Sequence, residues 1–256
     1  MSIGPEHVLR RKDDVHASYD AYKPVLSAIL YGIESKLKKT LVLASMPTFK
    51  SRVKEFNSYF RKVLRIKPQS LETDELPVLT DLLGIRVICA FLEDLTTVEQ
   101  QIVENFKVLE IERKGDDRTF SEFGYESVHI LIDIPEKMQG FSDSDKGIKL
   151  PEGLVCEIQI RTILQDAWAE VEHELVYKSD FTPFDLPLRR KLASMNASLS
   201  LADIIFQEIR DYQNKLNREI DKRRGSFYQQ ADIEFDSRSL PGDLVDIVQT
   251  DNLNAE

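Results

Sequence analysis

Cysteine is nearly absent from this chain of 256 residues: Cys89 and Cys156 are the only two. Two thiols cannot build a disulfide framework or a four-cysteine zinc site. Both lie inside apolar runs, Val87–Phe91 and Leu154–Cys156, and read as buried strand thiols of a reducing compartment. No apolar run approaches the ~18 residues of a membrane span, and no secretory signal is visible. The expected setting is the cytoplasm, away from membranes. The usual phosphate cradles are missing too. There is no Gly-x4-Gly-Lys-Ser/Thr loop and no Gly-x-Gly-x-x-Gly turn after a strand. His173-Glu174 starts a zincin-like pattern, but the fifth position is Tyr177. Glu170-x-x-His173 occurs once, where a di-iron bundle needs two copies. Gly-x-Ser-x-Gly is absent.

Charge is present, and it is uneven. The net charge is −10, which speaks against a general nucleic-acid binder. Yet residues 1–70 carry 14 Lys/Arg against 6 Asp/Glu. The basic stretch Lys50, Arg52, Lys54, Arg61, Lys62, Arg65 and Lys67 is opposed only by Glu55. A local positive field in an acidic protein suits a compact polyanion such as a nucleotide. A solvated helix face would produce the same composition.

Apolar positions recur at steps of three and four from Val15 to Leu37, which predicts a helix over 6–39, with Pro5 near its start and Pro24 kinking or dividing it. Residues 49–53 read as extended and 55–66 as helical. Strands are predicted at 84–91, 125–134 and 154–162, with a weaker one at 107–112 after a helix at 95–105. The 154–162 segment alternates most clearly, with Leu154, Cys156, Ile158 and Ile160 on one face and Glu157, Gln159 and Arg161 on the other. Helices follow at 163–178 and 187–222, the latter with a long apolar stripe. Residues 114–123 and 135–153 have loop composition. The fold class is α+β: a mixed, roughly five-stranded sheet flanked by helices, with helical N- and C-terminal extensions. The expected division is a helical segment 1–45, a central domain 46–180, a C-terminal helix 181–224 and an acidic, flexible tail 225–256.

Lys54, Ser58 and Lys62 are spaced to share one stripe of the short helix, with Arg52 just upstream. Two ammonium groups and a hydroxyl in line can hold phosphates, and a guanidinium can stack on a base. An ordinary amphipathic helix would show the same spacing. Tyr125, Ser127 and His129 share one strand face, as do Glu157, Gln159 and Arg161. Such faces must meet water or line a site. Asp81 and Glu157 near a phosphate cluster would suit Mg²⁺, which takes one or two carboxylates plus substrate oxygens.

Taken in order, Arg52-x-Lys54-x3-Ser58-x3-Lys62, Asp81-x2-Gly84-x-Arg86, Gly124-Tyr125-x-Ser127-x-His129, Glu157-Ile158-Gln159-Ile160-Arg161-Thr162 and Ala169-Glu170-x2-His173 resemble the synthetase domain of the RelA/SpoT family, over roughly residues 50–180. That resemblance implies a nucleotidyltransferase-like synthetase fold and a pyrophosphokinase. Such an enzyme moves the β,γ-diphosphate of ATP to the 3′-oxygen of GDP or GTP, making (p)ppGpp and AMP. It implies that Arg52 and Arg86 sandwich the adenine and that Lys54, Ser58 and Lys62 hold the ATP phosphates. It further implies that Asp81 binds Mg²⁺ and that Glu157 joins the metal or serves as base. Tyr125 would stack on the acceptor guanine, His129 would contact phosphates, Gln159 would orient the acceptor and Asp166 would read its base.

One segment departs from the family pattern. Small synthetases have Lys-Pro-Asn-Gly-Tyr-Arg where this chain has Ser121-Glu122-Phe123-Gly124-Tyr125-Glu126. The acceptor-phosphate lysine is missing, with Lys114 and Arg118 as candidates to replace it from the loop. The acceptor therefore stays open among GDP, GTP, GMP, an adenine nucleotide and the 3′ end of tRNA. The segment holding His7 and His16 is too short for the hydrolase domain of long family members, so a synthetase-only protein is expected. Relatives assemble as homotetramers through terminal helices, and the 187–222 stripe is compatible with that.

Overall fold

The computed structural model describes residues 5–69, 76–114, 127–135, 138, 150–177 and 186–237. Its elements are α1 (Pro5–Thr40), β1 (Thr48–Val53), α2 (Phe56–Ile66), β2 (Leu83–Cys89), α3 (Leu92–Asn105), β3 (Val108–Lys114), β4 (Ser127–Asp133), β5 (Val155–Thr162), α4 (Ile163–Glu172) and α5 (Leu186–Ser237). A π-helical turn, His173–Tyr177, extends α4. The chain forms two compact units, Met1–Gln207 and Glu208–Glu256. The first holds the whole sheet, and the second holds the distal part of α5.

The five strands make one sheet in the order β1-β2-β5-β4-β3. Only the β2–β5 pair is parallel, so the sheet is mixed as expected. A parallel neighbour needs a crossover, and the chain between β2 and β5 supplies it with α3, β3 and β4. One face of the sheet is apolar: Leu83, Ile85, Val87, Ile130, Ile132, Cys156, Ile158 and Ile160 are all fully buried. They share a core with Leu26, Ile29, Ile33 and Leu37 of α1, and with Val98 and Ile102 of α3. The N-terminal helix is thus part of the domain's core rather than an appendage to it. Burial pushes the Cys89 thiol up to about 12, so it stays protonated and inert.

Two expectations change. Pro24 does not divide α1, which runs continuously from Pro5 to Thr40. Proline within a helix costs about 3 kcal/mol, but Tyr19 before it and Val25, Leu26 and Ile29 after it are all buried in one core. That burial outweighs one lost hydrogen bond. Helix also continues beyond Arg224, to Ser237. The segment 225–237 is polar and acidic, but it contains no proline, and Gln229, Gln230, Ala231 and Glu234 are good helix formers. Its lone Gly225 costs only about 1 kcal/mol against alanine. Residues 238–256 of the expected tail lie outside the described residues. Among the described residues no helix is long and apolar enough to cross a membrane.

The β5–α4 junction is a capping box. The Thr162 hydroxyl accepts from the Gln165 backbone N–H at 3.0 Å, and the Gln165 side-chain Oε1 accepts from the Thr162 backbone N–H at 2.9 Å. Thr162 also donates to Asp203 of α5 at 2.6 Å. This double anchor fixes where α4 starts and therefore where its first-turn Asp166 lies.

Candidate active site

The second face of the sheet is polar, and strand register explains how. Arg52, Gly84, Glu157 and Leu131 form one row across β1, β2, β5 and β4. Lys50, Arg86, Gln159, His129 and Glu112 form the next row, out to β3. Period-two alternation on five strands thus gathers charges that lie a hundred residues apart. A cleft of about 230 Å³ opens over these rows, lined by Lys50, Arg52, Asp81, Gly84, Arg86, Glu157, Gln159 and Glu170. Gly84 leaves its floor open: a Cβ there would approach nothing closer than the Arg52 carbonyl oxygen at 3.9 Å.

At one end of the cleft stands Asp81, just before β2. Lys54 Nζ and Lys62 Nζ both reach its Oδ2, each at 2.8 Å. Lys54 is not on the helix as the spacing implied. It sits in the β1–α2 connection, where its N–H donates to the Leu82 carbonyl. Ser58 is half-buried on α2. Burial works to raise the Asp81 carboxyl, but the two lysines outweigh it and hold the group below the usual carboxylate range. Asp81 Oδ1 is buried with no hydrogen-bond partner among the described residues.

In the middle stands Glu157. Its Oε1 lies 2.8 Å from His129 Nδ1, and its Oε2 accepts from Gln159 Nε2 at 2.9 Å. Burial pushes this carboxyl up, and the charge of Asp81 adds to that push. His129 and Gln159 overcome both, so the group stays ionised. An ionised carboxylate can only accept, so His129 Nδ1 carries the proton. His129 Nε2 is then left buried without a partner among the described residues.

At the far end stands Asp166, buried in the first turn of α4. Lys50 Nζ meets its Oδ2 at 2.7 Å, while Arg86 and Arg161 each place an Nη1 3.3 Å from its Oδ1. Arg86 also pairs with Glu170, whose carboxyl it holds below the usual range. Arg52 makes no side-chain hydrogen bond or ion pair with the described residues, so its guanidinium is open on the cleft wall.

The structure therefore brings together Arg52, Lys54, Lys62, Asp81, Arg86, His129, Glu157 and Gln159. Asp166 lies alongside, with its carboxylate taken up by three cations. Lys114 is the last residue of β3, not part of a loop, and its charged neighbour is Glu112 at 3.8 Å. It stands in register with Ser127, beyond β5 and β4 from the cleft. Tyr125 and Arg118 lie outside the described residues. Lys50, named only as part of the basic stretch, and Glu170, named only within a motif, also line the cleft, although neither was given a site role. Lys50 was legible as the β1 residue two before Arg52, on the same face. Glu170 stood in the Ala169-Glu170-x2-His173 motif, but its place at the cleft beside Arg86 depends on how α4 lies over the sheet.

Among the described residues no three His, Cys, Asp or Glu side chains cluster to hold a metal on their own. The donor set here is two carboxylates, one with an open buried oxygen. That fits Mg²⁺ with substrate oxygens completing its shell, and not a site built of protein ligands alone.

Comparison with known proteins agrees with this layout. Residues 51–182 match the model of the region found in RelA/SpoT proteins. The chain is 33% identical over 130 residues to GTP pyrophosphokinase YwaC of Bacillus subtilis, covering 50% of this chain and 57% of YwaC. It is 29% identical over 181 residues to GTP pyrophosphokinase YjbM of the same organism, covering 70% of this chain and 79% of YjbM. The crystal structure of small alarmone synthetase 1 from Bacillus subtilis superposes with a TM-score of 0.60 at 24% identity, over 77% of this chain and 98% of that one. Further structures of that synthetase hold its product pppGpp or AMPCPP. With its five-stranded mixed sheet and a family match that encloses every cleft-lining side chain but Lys50, the chain belongs to the RelA/SpoT family.

Proposed function

We propose that this chain is a pyrophosphokinase that transfers the β,γ-diphosphate of ATP to the 3′-hydroxyl of GDP or GTP, releasing AMP and making (p)ppGpp. The observation that carries the reading is the pair of half-buried, ionised carboxylates that line one cleft, Asp81 and Glu157, set among Arg52, Lys54, Lys62 and Arg86. Cations that can hold a triphosphate stand beside carboxylates that cannot hold one without a metal. The names of the two curated relatives point the same way.

Phosphoryl-type transfer depends mostly on positioning and charge neutralisation. In this reading Arg52 and Arg86 hold the adenine, and Lys54, Ser58 and Lys62 hold the phosphates. Asp81, through its Oδ1, and Glu157 would hold Mg²⁺, which would supply charge neutralisation for the moving diphosphate. Glu157 accepts the proton of the 3′-hydroxyl as that oxygen bonds to Pβ. The bond from Pβ to the α,β-bridging oxygen breaks, and AMP leaves with that oxygen. His129, with Nδ1 committed to Glu157, has Nε2 left to meet a phosphate or the acceptor. Tyr125 stacks on the acceptor base. Soluble nucleotide substrates suit an enzyme of the cytoplasm. Exposed Ile209, Leu216 and Ile220 form a stripe along the distal part of α5 that suits a homotetramer assembled through helices.

The test is incubation with Mg²⁺ and γ-labelled ATP, with GDP, GTP, GMP and tRNA in separate reactions. Label is expected in GDP or GTP. Label in tRNA alone would make this a tRNA-modifying enzyme with the same chemistry, and label in none would end the enzyme reading. Asp81→Gly should abolish transfer in a protein that stays folded by circular dichroism.

A further inference from the structure

The polar face of β5 carries a continuous chain of hydrogen bonds that ends on Glu157. Gln159 Nε2 donates to Glu157 Oε2 at 2.9 Å, and Arg161 Nη2 donates to Gln159 Oε1. The orientation of the Gln159 amide is chemically forced. Arg161 has only donors, so the carbonyl end must face it; ionised Glu157 has only acceptors, so the NH₂ end must face Glu157. A glutamine between an arginine and a carboxylate cannot flip without breaking both bonds. Arg161 is itself fixed. Its side chain is 6% exposed, and its other terminal nitrogen meets buried Asp166, which the Thr162–Gln165 capping box sets in place.

Neutralising Asp166 does not require Arg161. Lys50 at 2.7 Å and Arg86 at 3.3 Å already pair with that carboxylate. What Arg161 alone contributes is its fork, with one arm on Asp166 and the other on Gln159. We propose that Arg161 is a positioning residue that fixes the Glu157 carboxylate through Gln159, with Asp166 as its anchor. The proposal rests on the reading above, in which Glu157 acts in the transfer. Gln159 becomes the link in this chain, and Asp166 its buried post. With His129 on the other oxygen, Glu157 is held from both sides, and neither oxygen can swing away from the 3′-hydroxyl.

The fork separates this role from a structural one. Arg161→Lys keeps a cation for Asp166 but cannot span to Gln159, since a single ammonium replaces two nitrogens in a rigid plane. Steady-state kinetics of Arg161→Lys, Gln159→Leu and the double variant, with melting temperatures, test it. Each single variant is expected to lose about 10- to 100-fold in kcat, the scale of a misplaced catalytic group. KM for ATP should stay within about twofold, because the groups proposed to bind ATP are untouched. The double variant should be no slower than the worse single one, because both break the same chain. Arg161→Lys with wild-type kcat overturns the proposal, as does a double variant whose losses multiply or a loss confined to KM. If Arg161→Lys does not fold, Gln159→Leu decides alone, and wild-type kcat there overturns it. A wild-type protein that transfers no label to any acceptor fails the functional reading itself and takes this role with it, whereas a fully active Arg161→Lys in an active background fails this inference alone.

Discussion

The two faces of the sheet are built from the same strands and differ by one residue of register. On β5, Cys156, Ile158 and Ile160 are fully buried against α1 and α3, while Glu157, Gln159 and Arg161 point to the opposite side. The apolar face needs no partner beyond shape, because burial there is non-directional. The polar face is directional throughout. Glu157 is held by His129 and Gln159, Gln159 by Arg161, and Asp81 by two lysines. The apolar side carries stability and the polar side the proposed chemistry, so substitutions on the two faces should separate the two properties.

Glu157→Gln should separate them most widely. The amide keeps the shape of the side chain but cannot accept the proton, and transfer should fall by about 10²–10⁴-fold while the melting temperature stays near wild type. A rate within tenfold of wild type would remove Glu157 from the proton-accepting role. Ile158→Ala, its neighbour on the other face, should do the reverse. Truncating a fully buried Ile costs about 2–5 kcal/mol. Urea denaturation should show that loss, while kcat of the folded fraction remains unchanged.

Gly84→Val tests whether the open floor of the cleft matters. No protein atom lies within 3.4 Å of the new Cβ, so the fold should tolerate it, and a β-branched residue suits a strand. The side chain would stand between Arg52 and Glu157, and KM for ATP should rise about tenfold for a blocked subsite. Unchanged KM would mean that the substrate does not approach this floor.

The smallest effect is acid sensitivity. Asp81 and Glu157 are both held below their ordinary values, so each contributes stability at pH above about 4, the unfolded carboxylate value. That contribution is lost as pH falls through the depressed folded values. Melting temperature should therefore drop between pH 5 and pH 2 more steeply for wild type than for Asp81→Asn. Parallel curves would show that the lysine contacts contribute nothing to folding.

Much of this was legible in the sequence. The five strands follow from alternation and β-branched runs, and the helices from steps of three and four. The rank of motifs from Arg52 to His173 named the family. Local patterns misled where tertiary burial competed with them. Pro24 reads as a break but sits among buried neighbours on both sides, and the segment after Arg224 reads as tail by composition yet continues a helix. Lys54 shares a spacing with Ser58 and Lys62 but precedes the helix; it meets Lys62 only because both converge on Asp81.

By itself, then, the sequence determined which residue types alternate, where elements begin, and which side chains could serve a phosphate. Periodicity is a local property and is written in neighbouring residues. Partnership across the sheet is not. That Lys50 on β1, Arg86 on β2 and Arg161 on β5 all close on one carboxylate of α4 depends on strand order and on a mixed register. Only the folded chain brings residues 50, 86, 161 and 166 to one point, because hydrophobic packing on the opposite face sets which strands lie side by side.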